Sequence, residues 1–249
     1  MKSLKTRMSI SEYRLTVSNI TVDVVKKDIK NMHLTVYPPN GRVRVSAPSD
    51  LPDEAVRLFV VGKIHWIKKR QKLFQEQQRE LPREYITGES HFFDGKRYLL
   101  KVIDHSGKAE IKIKNKKYLE LYVRSGADKE TKQRVFTEFY RNYLKATVPA
   151  LLKKWEEITG LQCESWEIRK MQTKWGSCNE KKKKIILNLE LAKKPRPYLE
   201  YIILHELLHL LVRNHNDEFR ALLDRYMPNW REYQRELNAL PVAGNEIID

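Results

Sequence analysis

Between Glu12 and Ser46 apolar and polar positions alternate, with Tyr13, Leu15 and Val17 and then Ile20, Val22 and Val24 keeping one parity. A period of two turns one face of a strand inward, so this stretch predicts half-buried β-structure. Pro38-Pro39-Asn40-Gly41 separates His33–Tyr37 from Arg42–Val45 and predicts a turn between two of the strands. The period then changes. Ser49, Asp50 and Pro52 open a segment in which Val56, Phe59, Val60, Ile64, Ile67 and Phe74 recur at helical spacing, which predicts one long helix packed on the preceding sheet.

From His91 to Arg124 the pattern returns to short β-runs, divided by Asp94-Gly95, His105-Ser106-Gly107 and Asn115-Lys116-Lys117, and predicts a meander. Asp128 to Ile158 is helical, with Val135, Phe139, Tyr143 and Leu144 as its apolar stripe. Pro149 marks a kink or division in it, and Gly160 closes it. Beyond lie a strand near Ser165–Arg169, a turn-like Trp175-Gly176-Ser177-Cys178, a lysine-rich hairpin and a strand at Ile185–Leu191. Helices follow from about Pro197, around Phe219 and around Trp230. No internal repeat is visible. The fold class is therefore α+β: a β-rich N-terminal region with one long helix over residues 1–126, then a helical domain with a small sheet over 127–249. The boundary falls between Arg124 and Lys129.

The chain has 249 residues, 41% of them hydrophobic, which is enough for a proper core. Its longest apolar run near the C-terminal third, Tyr198–Val212, is broken by Glu200, His205, Glu206 and His209, which excludes a membrane span there. The basic N-terminus has no apolar segment behind it, and only Cys163 and Cys178 occur, so the expected setting is reducing and cytoplasmic. Cys178 reads first as a small packed residue. A formal charge of +16 attracts polyanions at low salt, which makes nucleic acid a candidate non-specific partner. The lysines fall in separated clusters, and each reads first as a solvated face or hairpin tip.

The chemistry is concentrated in His205-Glu206-Leu207-Leu208-His209 and in His215. Helical positions four apart share a face, so the imidazoles of His205 and His209 can converge on one point. Two nitrogens so aimed suit Zn²⁺, and Glu206, one step of about 100° further round, stands beside a metal-activated water as general base. His215 can rejoin the same focus only from a corner. Arg213-Asn214 offers the break, and Asn216, Asp217 and Glu218 read as the capped start of a new helix. An amphipathic helix with merely packed histidines would share the spacing, but not the extra histidine and the capped corner.

Arg169, Trp175-Gly176-Ser177-Cys178, Ile186-Leu187-Asn188-Leu189, Pro195, the histidine motif and Asn214-His215 occur in that order. With Arg42–Pro48 and His65-Trp66-Ile67 upstream, the series resembles the YgjP-like zinc metallopeptidase family, similar in its metal motif to SprT-like and WLM proteases. The resemblance covers most of the chain. It implies a zincin-like catalytic domain, zinc held by His205, His209 and His215, and Glu206 as catalytic base. Candidate substrate-binding residues are Asn188, Trp175 and Tyr226: Ile185–Leu191 could pair with an extended polypeptide, and Tyr226-Met227-Pro228 could floor the metal or donate to an oxyanion. Each reads first as packing, with Asn188 holding its strand, Trp175-Gly176 making a tight turn near the cleft and Tyr226 packing at a helix end.

The leading function is a zinc metalloendopeptidase acting on polypeptide, with no membrane partner. One alternative is a DNA-associated protease acting on nucleic-acid-bound proteins. Another is a metal-dependent nucleotide pyrophosphohydrolase, although no glycine-rich phosphate loop is present. A non-enzymatic reading closes a structural zinc site with Cys178 or an acidic residue as fourth ligand.

Overall fold

The computed structural model describes residues 11–37, 40–76, 83–171 and 174–239. The chain forms two units, one within residues 1–79 and one within 80–249, each with its own apolar core. Among the described residues no helix is long and apolar enough to cross a membrane.

In the first unit, β1 (Ser11–Val17), β2 (Ile20–Lys27), β3 (His33–Tyr37) and β4 (Arg42–Pro48) form a sheet in the order β1-β2-β4-β3. The β1/β2 hairpin turns at Ser18 and Asn19, both at positive φ (44° and 66°), the backbone that a right-twisted two-residue hairpin requires. Of the expected Pro38–Gly41 turn, Pro38 and Pro39 lie outside the described residues, and Gly41 has φ of 68°. The alternation names the inward face correctly: Val22, Val24, Val43 and Val45 are all buried. The one long helix is instead two, α1 (Asp53–Gly62) and α2 (Ile64–Glu76), parted at Lys63 after Gly62, a poor helix former. Val56, Val60, Ile67 and Phe74 nonetheless join the valines of the sheet in one core, as their spacing predicts.

In the second unit, β5 (Ser90–Phe93), β6 (Lys96–Asp104), β7 (Glu110–Lys114) and β8 (Tyr118–Val123) form a sheet in the order β5-β6-β8-β7. This is not a meander. β6 and β8 are parallel neighbours, and β7 lies outside as the return strand that lets β8 run beside β6 in the same direction. The wiring repeats that of the first sheet, where β2 and β4 are the parallel pair. The repeat is therefore one of topology, which the residues do not display.

The long helix α3 (Lys129–Thr159) begins where Asp128 accepts a hydrogen bond from the Thr131 amide (2.7 Å) and ends at Gly160 in the left-handed region. It runs through Pro149 undivided. An interior proline costs about 3 kcal/mol, and Val148, Leu151, Leu152 and Trp155, all buried, outweigh that at about 1.5–3 kcal/mol for each fully buried large apolar side chain. The buried stripe is Phe136, Tyr140, Leu144 and Val148, with the expected Val135, Phe139 and Tyr143 half-buried beside it.

The division of the chain falls before the second sheet rather than after it, because that sheet is bound to the C-terminal elements. Leu100, Leu119, Leu121 and Val123 share one core with α3 and with all that follows. The Asp94-Gly95 turn donates its amides to the carbonyls of Ala192 (2.9 Å) and Lys193 (3.2 Å), and Tyr143 donates to Asp94 Oδ1 (2.8 Å). Gly95 has φ of 74°, and a side chain there would meet the Pro195 ring at 2.7 Å.

A small sheet, β9 (Ser165–Arg169), β10 (Gly176–Asn179) and β11 (Lys184–Asn188), has the order β10-β11-β9. The strand expected at 185–191 stops at Asn188 and gives way to a 3₁₀ turn over Leu189–Lys193. Three helices follow: α4 (Arg196–Leu208), α5 (Asp217–Tyr226) and α6 (Trp230–Ala239). Pro195 and Pro197 set the start of α4, since a proline is tolerated only in a helix's first turn and turns the residue before it away from helix. Tyr198, Leu199 and every residue from Tyr201 to Leu208 are buried, so α4 is apolar all round and runs through the core.

Candidate metal centre

His205 and His209 come from the end of α4. The helix closes at Leu208, with His209 as its C-cap, five residues sooner than the expected break at Arg213-Asn214. The amides of Leu210 and Leu211 then bond three residues back, which tightens the turn but keeps both histidines on one face. His215 returns from the corner before α5. Asn216 caps that helix by accepting from the Phe219 amide (3.0 Å), as its position in the sequence predicts.

The three rings meet at their Nε2 atoms. His215 Nε2 lies 3.0 Å from His205 Nε2 and 3.0 Å from His209 Nε2. His209 Nδ1 is 3.1 Å from the Val212 carbonyl, which can only accept, so the proton sits on Nδ1 and Nε2 keeps its lone pair. Burial lowers the pKa of His205 well below the usual range, with His209 and His215 adding to the effect, and burial lowers that of His209 too. Neutral imidazoles are what a metal requires. A proton on His215 Nε2 could not serve both neighbours at once, whereas one cation can accept all three lone pairs. The donor set therefore fits a divalent ion bound by His205, His209 and His215, the cluster capable of it among the described residues.

Phe219, not foreseen as part of the site, packs against all three rings. The ring of Phe219 is centred 4.9, 4.7 and 4.9 Å from those of His205, His209 and His215, and Phe219 is buried. Its signal was its place one helical turn after His215, in the first turn of the capped helix. Tyr226, at the end of α5, packs against the core, which is the packing reading of that residue rather than the floor or the oxyanion donor.

Glu206 shares the cavity of about 200 Å³ with the three histidines, Lys174, Trp175, Arg213 and the strand residues Gly176, Ser177 and Cys178. It is outside the histidine cluster, as its step around the helix predicts. Burial pushes its carboxyl up to about 8, opposed by the charge of Lys174. Trp175 is buried against the cavity, with the Lys194 ammonium 5.6 Å from its ring centre. The expected turn at Trp175–Cys178 is the entry to β10, and Gly176 pairs with Leu187.

Asn188 does not reach substrate. It is fully buried, its Nδ2 donates to the carbonyls of Met171 (3.0 Å) and Lys174 (2.7 Å), and its Oδ1 accepts from the amides of Met171 (3.3 Å) and Glu190 (3.2 Å). With its polar atoms so occupied, it ties the loop leading to β10 to the end of β11. β11 is also the wrong strand for pairing with a polypeptide, because β9 and β10 occupy both its edges. Cys178 lines the cavity without joining the histidines, and burial pushes its thiol up to about 12, so the fourth ligand of a closed structural site is missing among the described residues.

The fold and this site define an α+β protein with a histidine-built centre for a divalent metal. The family described as YgjP-like, metallopeptidase domain, matches residues 30–240, and the chain belongs to it: it is a metallopeptidase by family. Among solved structures, the chain is similar to the metallopeptidase zymogen of Pyrococcus abyssi abylysin, at 23% identity over 36% of this chain and 91% of that one, with a TM-score of 0.35. It is likewise similar to the zymogen of Methanocaldococcus jannaschii jannalysin, at 25% identity over 36% and 86%, with a TM-score of 0.33. No curated protein matches the chain.

Proposed function

We propose that the protein is a zinc-dependent endopeptidase in which His205, His209 and His215 hold the ion and Glu206 is the general base. One observation carries this reading: three imidazoles converge, with His215 Nε2 3.0 Å from the Nε2 of His205 and of His209, in a cavity they share with the buried Glu206 carboxyl, and no fourth side chain among the described residues joins them. Bound there, Zn²⁺ supplies a Lewis acid for the substrate carbonyl and eases deprotonation of water.

The protein's own groups then divide the work. Glu206 takes a proton from the attacking water as its oxygen bonds to the carbonyl carbon, and passes it to the amide nitrogen as the C–N bond breaks. β10 ends the small sheet, and three of its residues line the cavity, which supports its outer edge as the one that pairs with an extended polypeptide. Trp175, buried at the cavity wall, adds apolar surface beside it.

The test is metal-loaded protein incubated with an unfolded polypeptide, beside Glu206→Gln. Internal cleavage is expected, and the variant should retain its metal while losing about 10²–10⁴-fold in turnover. Unchanged turnover with metal bound would remove Glu206 from this role, and products shorter by a single terminal residue would replace the endopeptidase with an exopeptidase. Lys174 and Arg213 in the same cavity favour a second reading, in which the bond is a phosphoanhydride of a nucleotide. Phosphate or pyrophosphate release from nucleoside triphosphates, lost in Glu206→Gln and without peptide cleavage, would establish it instead.

A further inference from the structure

We propose that Gly176 is a positioning residue for Glu206: the bare Cα at the start of β10 fixes the direction in which the carboxylate points. A Cβ built on Gly176 would lie 2.4 Å from Glu206 Oε1, 2.7 Å from its Cγ and 2.8 Å from its Cδ, and these are its three nearest neighbours. Ordinary van der Waals contact begins near 3.4 Å, so any side chain here displaces the carboxylate by about 1 Å.

Two features make space, rather than backbone shape, the reason for glycine. Gly176 is not among the glycines at positive φ, so its conformation is open to any residue. It also lies in a paired strand, opposite Leu187, where glycine is a poor choice and usually marks a close approach by another group. The group that approaches is Glu206, from α4. Gly176 and Glu206 both line the cavity that holds the histidines, so the contact lies in the wall of the site itself.

The inference rests on Glu206 acting as base, and its test separates the two. In the full-length, metal-loaded protein, Gly176→Ala is expected to keep a wild-type metal content and KM while kcat falls about 10²-fold, the usual consequence of a misplacement near 1 Å. In the metal-free protein, Gly176→Ala is expected to lower Tm when Glu206 is present. In a Glu206→Ala background it should leave Tm unchanged or raise it, since the obstructing atoms are gone. An equal fall in Tm in both backgrounds, or an unchanged kcat, would overturn the proposal. If Glu206→Gln retains full turnover while the Tm coupling persists, the base assignment fails and the steric contact stands.

Discussion

Phe219 presses one apolar ring against three imidazoles at nearly equal separations, a support common to all three. Phe219→Leu keeps the core filled but removes the flat support, and is expected to weaken metal binding by about tenfold or more, as losses behind a metal ligand do. Competition with a chromophoric chelator measures it, and an unchanged affinity would reduce the ring to filler. Asn188→Ala strips four hydrogen bonds from a buried site and is expected to cost about 2–4 kcal/mol, read as a lower urea midpoint. The thiol of Cys178, held up near 12, should react slowly with iodoacetamide at pH 8 in the folded protein and rapidly in urea. The histidines and Glu206 were legible because helical spacing is local. That Asn188 holds its surroundings rather than substrate was legible as the commoner fate of a buried amide, but its partner, a loop seventeen residues back, was not, and neither was the helix thirty residues on that meets Gly176, because tertiary packing decides both.

Elements were legible by kind and by buried face more than by neighbour. Alternation in β6 and β8 says which side chains turn inward, but says nothing of whether the adjacent strand is β7 or β8, and so the parallel pair stayed hidden. In α3 the stripe was right at Leu144 and offset by one residue at Val135, Phe139 and Tyr143, which are as apolar as the Phe136, Tyr140 and Leu144 that face the core. The cap of α5 was fully legible. Asn216→Ala is expected to cost about 1 kcal/mol and, by loosening the corner next to His215, to speed metal release to a chelator. At the hairpin that anchors the second sheet, Tyr143 is pushed from its ordinary value of 10.0 up to about 12 by burial and by its bond to Asp94. A raised folded pKa means that the bond's contribution is whole below pH 10 and disappears as pH rises toward 12. Tyr143→Phe should therefore show a shallower loss of stability across that window in chemical denaturation than the wild type.

At the scale of the whole molecule, the second sheet is the part that composition misplaced. Being β-rich, it was grouped with the first sheet, while its core and its Asp94-Gly95 turn tie it to α3 and to the segment that launches α4. The charge of +16 is legible without any structure, and its expected consequence is retention of an oligonucleotide at low salt with a steep fall as salt rises; salt-independent binding would require a shaped site instead. The corner between α4 and α5 has one more consequence. Two of its imidazoles belong to a helix sunk in the core and the third to a surface bend, so an ion gripped by all three works as a clasp. Stripping it with a chelator should unfasten the bend alone: amides from Leu210 to Tyr226 would exchange hydrogen faster while those of α4 stay as slow as before.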